Sequence, residues 1–155
     1  MHDGAPILTL REEQRLIAEL LDILKEEQQS LVAADIDQLS ALTPRKAEVI
    51  GRMGTLAAER HAALGSAGFE AREAGMEMWL CAHGTPDDKA LWNSVLARTR
   101  EAKELNRLNG MLINKQLSHT QGALQALRPP SPGGGVYGPT GLTATTTTSR
   151  GFLAG

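Results

Sequence analysis

The sequence predicts an all-α protein: an elongated antiparallel helical bundle, a coiled-coil-like hairpin packed along a long C-terminal helix, with a disordered C-terminal tail. Three observations carry this. Aromatic residues make up only 3% of 155 residues, while Leu, Ala and Met abound, which suits packed helices better than a β-sandwich. Leu10, Ile17, Leu24 and Leu31 recur every seven residues. From Pro86 to Leu127 no further proline interrupts the helical period.

The first helix spans about 8–33. Leu16, Leu20, Leu21 and Ile23 widen its heptad stripe enough to touch two neighbours, and Arg11, Glu12, Arg15, Glu19 and Glu26 take the other side. Thr9 and Glu12 have the spacing of a capping box. Asp35 is the expected N-cap of a second helical region, with Gln38 at its third position. Thr43-Pro44 reads as a new cap followed by a first-turn proline, so two helices are expected, near 36–42 and 44–64. The longer one should bury Val49, Ile50, Met53, Leu56, Ala57, Ala63 and Leu64 before the GSAG stretch at 65–68.

A short helix near 70–82 carries Met76, Met78 and Trp79, read as core. Thr85-Pro86-Asp87-Asp88 then repeats the cap-plus-proline device, with two carboxylates favourably placed against the helix dipole. The helix expected at 86–127 would be about 63 Å long at 1.5 Å per residue, which demands an elongated arrangement. After Arg128 proline, glycine and threonine dominate and no period survives. The helical domain is therefore placed at 1–128 and a disordered tail at 129–155.

Several classes of function are disfavoured. A net charge of -2 with a pI near 6.1 creates no field for nucleic acid or an anionic membrane. No apolar run is long enough to insert in a bilayer, and the N-terminus lacks the basic and apolar regions of a secretory signal. With a lone cysteine, Cys81, a cytoplasmic location is expected. His2, His61, His83, His119 and Cys81 show no paired metal-ligand spacing, and no catalytic or phosphate-binding motif is present. Acid pairs such as Glu12-Glu13 and Asp87-Asp88 suit solvated faces and caps better than acid–base chemistry. No enzyme activity and no cofactor are expected.

Binding remains, and the last helix is where it points. On a wheel at 100° per residue, Leu105, Leu108, Leu112 and Gln116 form one stripe, and Ile113, Leu117 and Leu124 a second about 100° away. Asn109 falls between them and Asn106 joins the second, in a seam that runs on to Leu127. Asn106 and Asn109 either bond the facing helices of their own bundle, with Gly110 permitting close approach, or meet another protein. For Leu117 to Leu127 a partner is the favoured reading, because this helix outruns hairpin helices of roughly 30–38 Å.

The segment Leu105-Asn106-Arg107-Leu108-Asn109-Gly110-Met111-Leu112-Ile113 resembles the core motif of the FlgN-type flagellar export chaperones. So does the order of elements: a long first helix, a D-x-x-x-L turn from Asp35 to Leu39, a helix with Lys46 and Arg60, a tryptophan-bearing segment, and Y-G-P-x-G from Tyr137 to Gly141. The resemblance implies a cytoplasmic type III export chaperone. Such a chaperone holds the C-terminal helices of hook-associated proteins, which form the hook–filament junction, and delivers them to a component of the flagellar export gate. It implies client binding through Leu105 to Leu127, and Tyr137 is the candidate contact to the gate. A self-associating structural coiled coil, a regulatory helical bundle with His61 as its phosphate-relay candidate, and a homodimer of the client-free chain remain open from the residues.

Overall fold

The structure, a computed structural model, describes residues 5–127. Those residues form a 3₁₀ turn at Pro6–Thr9 and four helices: α1 (Leu10–Ala33), α2 (Ile36–Ser66), α3 (Glu73–His83) and α4 (Pro86–Leu127). Among the described residues there is no strand, as the all-α reading requires. The chain divides into two units after Gln116, of which residues 5–116 of the first and 117–127 of the second are described. The expected tail at 129–155, including Tyr137, lies outside the described residues.

In the first unit α1 is the central element. The heptad positions Leu10, Ile17, Leu24 and Leu31 are all buried, as are Leu16, Leu20, Leu21 and Ile23. The expected Thr9–Glu12 capping box does not form. The proline-led turn leaves Thr9 in the helical region, so its hydroxyl donates to Glu13 Oε2 (2.7 Å) instead of folding back onto the first turn. At the other end Ala34 takes a left-handed conformation (φ 54°), and Asp35 N–H reaches the Ser30 carbonyl at 2.9 Å. Asp35 caps α2 through a bond from Gln38 N–H to Oδ1 (3.1 Å), as its sequence position predicts.

The two helices expected around Pro44 are one. α2 runs through the proline without a break. Proline lacks the N–H that would bond the Ser40 carbonyl, at a cost of about 3 kcal/mol in a helix interior. Packing outweighs that cost: Leu42 and Val49, one on each side of Pro44, are buried in the same cluster as Leu20 and Leu24 of α1. A helix restarted at Pro44 would change their relative phase. Ile50, expected in the core, is instead 47% exposed.

Gly68 (φ +89°) turns the chain out of α2, and α3 starts only at Glu73. A Cβ on Gly75 would lie 2.0 Å from the Glu70 carbonyl oxygen, so glycine allows this tight approach. Met76 and Trp79 of α3 are core residues, but Met78 is exposed because it points away from the helix's buried side. Thr85 and Asp88 then form a reciprocal box, with Asp88 N–H bonding Thr85 Oγ1 (3.1 Å) and Thr85 N–H bonding Asp88 Oδ2 (3.0 Å).

Contacts fix the helix directions. Glu13 pairs with Arg60 and Glu27 with Lys46, so α1 and α2 are antiparallel. Gln14 bonds Ser94 and Leu24 bonds Asn109, so α4 runs parallel to α1. α3 belongs to the return path that makes this possible, and its Met76, Trp79 and Leu80 share a cluster with Leu10, Leu64 and Trp92.

Because the continuous helix retains its proline at a cost, Pro44→Ala should stabilise the protein by about 1–3 kcal/mol in urea unfolding, with unchanged helix content. Destabilisation by this substitution would show that α2 needs the proline.

Candidate functional site

The predicted site residues separate into a set built into the bundle and a set that is bare. Asn109 is the clearest member of the first. It is 1% exposed, and its Nδ2 donates to the Leu24 carbonyl (2.9 Å) and to Glu27 Oε1 (2.8 Å). Glu27, itself buried, also accepts from Lys46 Nζ at 3.2 Å on each oxygen. The same ammonium donates to Asn106 Oδ1 (2.7 Å). One network thus joins α1, α2 and α4. Asn109 is spent inside the fold and is not a surface for a client. Its Oδ1 has no partner, at a cost of about 1–3 kcal/mol for a buried acceptor.

Leu105 packs partly buried against the core cluster of α1, and Leu108, Leu112 and Gln116 are half-buried. Gln116 Nε2 donates to the Leu31 carbonyl, near the end of α1. Gly110 was expected to permit close helix approach. It does not, since a Cβ there would meet nothing within 4 Å. Ile113 is partly exposed, and beyond Gln116 every described residue is exposed. Leu117 is 55%, Leu124 63% and Leu127 81% exposed. At spacings of seven and three they fall on one helix face with Thr120.

Other exposed apolar side chains escaped the sequence reading. Met111 is exposed beside Arg107, and Val32 and Ile36 flank the α1–α2 turn, next to the Leu31 carbonyl that Gln116 meets. The signal was available: two apolar residues flank the Ala34-Asp35 turn, which caps both helices and cannot bury them.

The remaining polar groups are structural. Arg60 is buried, bonds Glu13 through Nε and Nη2 (3.0 Å each), bonds Glu73, and lies 4.6 Å from the Trp92 ring centre. Burial acts to lower its pKa, but the bonds from Glu13 and Glu73 outweigh that and hold it above the ordinary guanidinium value. Burial likewise opposes the ionised form of Glu73, and Arg60 with His61 overrides it, keeping this carboxyl below its usual range. His61, bonded to Glu73 at 3.2 Å, is therefore engaged. Among the described residues no group of His, Cys, Asp or Glu is placed to hold a metal ion, and no helix is long and apolar enough to cross a membrane.

A helical scaffold whose buried charges, Glu13, Glu27 and Arg60, are paired internally, ending in a helix whose apolar face is bare, has the makings of a protein-binding adaptor. The family model described as FlgN protein matches residues 1–145. The chain belongs to that family, the FlgN-type flagellar export chaperones. Neither a curated protein nor a solved structure matches it.

The Asn109 amide can be tested by charge. Asn109→Asp removes both donors and sets a buried carboxyl against Glu27, which should cost about 3–5 kcal/mol at neutral pH. Burial and Glu27 would raise that carboxyl's folded pKa. Its contribution is then fully present below the unfolded value and lost as pH rises through the folded one. The deficit against wild type in urea unfolding should shrink on going from about pH 8 to about pH 5. A pH-independent deficit would rule out this placement.

Proposed function

We propose that this protein is a cytoplasmic export chaperone that binds the C-terminal helices of hook–filament junction proteins through Leu117, Leu124 and Leu127, keeping them unassembled. The observation that carries this is the change at Gln116: upstream Leu105, Asn106, Leu108, Asn109, Leu112 and Gln116 are half-buried, buried or bonded within the bundle, and downstream the same helix exposes leucines on one face. Family membership supports a flagellar export substrate as the client. An amphipathic client helix laid on that face would bury what the chain leaves in water, in the manner of helix-on-helix recognition. Delivery is proposed to use Tyr137 as a contact to the export gate.

Burial of a leucine contributes about 1.5–3 kcal/mol, so removing two should weaken binding by about 100-fold or more. Leu117→Asp/Leu124→Asp is expected to lose affinity for junction-protein C-terminal peptides on this scale while unfolding like wild type, since both side chains are exposed. Tyr137→Ala should retain the peptide and lose gate-component binding and secretion. Undiminished peptide binding by the double variant would refute the proposed face. A client-free dimer that the same variant dissociates would favour the self-associating coiled coil.

A further inference from the structure

α2 and α4 cover the apolar side of α1 but leave a seam between themselves that they do not fill. Two cavities, of about 210 and 220 Å³, open between them and share Met53, Thr99 and Lys103 in their walls. The floor of the first is apolar α1 surface, Ile17, Leu20 and Leu24. Its walls include Ile50 from α2 and Ala102 from α4. The second ends at Glu73, where α3 begins. Together they form a groove from Lys46 and Asn106 at one end to Arg60 and Trp92 at the other. The α4 wall from Trp92 to Asn106 spans about 21 Å, or roughly four helical turns. The groove lies within Met1–Gln116 and includes none of the leucines assigned above.

Its charge is one-sided. No carboxylate lines the first cavity, and the two that line the second, Glu13 and Glu73, are both bound by Arg60. On the α4 side Lys103 stands at the rim, and a wheel places Arg100 and Arg107 about 60° and 40° from it, toward solvent. Among the described residues Arg100 and Lys103 have no ion-pair partner, and the ion pair of Arg107 is with exposed Glu104. An apolar slot four turns long with a cationic lip fits an amphipathic helix with acidic residues beside its apolar stripe.

We infer that the groove between α2 and α4 is a second helix-docking site, and that its occupant is an acidic-flanked amphipathic helix of a partner protein. That helix takes the fourth position of a bundle with α1, α2 and α4. Its leucine-type residues lie on Ile50, Met53 and Leu96, and its carboxylates face Arg100 and Lys103.

The test uses the full chain and two labelled synthetic peptides of about 18 residues, each with one leucine stripe, flanked in one by Glu and in the other by Lys. Fluorescence anisotropy should show the Glu peptide binding at least about tenfold more tightly at low salt, with the margin shrinking as salt rises. Arg100→Glu/Lys103→Glu should invert the preference. Ile50→Asp, at a half-exposed wall position, should weaken the Glu peptide at least about tenfold without loss of helix content. Leu117→Asp/Leu124→Asp should leave it unchanged, which keeps this site distinct from the proposed client face. Equal binding of the two peptides, or loss confined to the Leu117/Leu124 variant, would overturn the inference. So would a dimer of the free chain that Ile50→Asp dissociates, since the occupant would then be a second copy.

Discussion

Two buried carboxylates on α1 set the arrangement of the bundle. Glu13 and Glu27 are two heptads apart on the helix's apolar side, and each holds a cation of α2 and lies with a residue of α4. At Glu13 the cation is Arg60, stacked on Trp92; at Glu27 it is Lys46, with Asn109 alongside. Arg60 and Lys46 are themselves two heptads apart in the opposite chain direction. Leucines repeating every seven residues would tolerate a slip of one heptad, whereas these pairs would not, because a slip leaves a buried carboxylate without its cation. Register therefore rests on charge, and burial of apolar surface supplies the bulk of the stabilisation.

The same division explains how α4 is held. α1 and α2 pack through leucine, isoleucine and valine, while α4 meets α1 through Asn109, Ala102, Val95 and Trp92. α4 buries one large side chain, Trp92, and beyond it only Val95, Ala102 and Asn109, which position the helix and leave a seam between α2 and α4 unfilled. The residues that weaken α4 as an isolated helix, Asn106 and Asn109, bond Lys46, Glu27 and the Leu24 carbonyl. Their low helix propensity is offset by contacts that a leucine could not make. Gly110 has no such role, and nothing in its surroundings requires a glycine.

Much of this was legible in the residues. The heptad of α1, the Asp35 cap and the Thr85-Pro86 start follow from local chemistry, and each stands as the sequence indicates. Pro44 misled because propensity is local and the phase of Leu42 and Val49 against α1 is not. Glu13 and Glu27 could not be told from the solvated acids Glu12 and Glu26, their sequence neighbours, until α2 and α4 supplied the facing cations. The wheel placed Asn109 in a seam of α4, and Asn109 is buried, but it put the exposed Ile113 there too and could not say which half packs internally. That boundary is set by where α1 ends, at Ala33, and by the bond from Gln116 to the Leu31 carbonyl.

The length of α1 thus decides what α4 can offer. Up to Gln116 α4 meets α1 at Ser94, Asn109 and Gln116, and its large apolar residues are at least half-buried there, with Met111 and Ile113 as the exceptions. From Leu117 to Leu127 the sequence LSHTQGALQAL places Ser118, His119, Thr120 and Gly122, all of low helix propensity, in its first six residues, and a helix of eleven residues on its own is marginal in water. Its helical state is supported by continuity with the packed part of α4, not by contacts of its own. A partner that buries Leu117 and Leu124 would supply those contacts and stabilise the helix in the same step. Affinity and helix order are then linked, and a sequence with weak intrinsic propensity makes that linkage stronger than a run of alanine and leucine would.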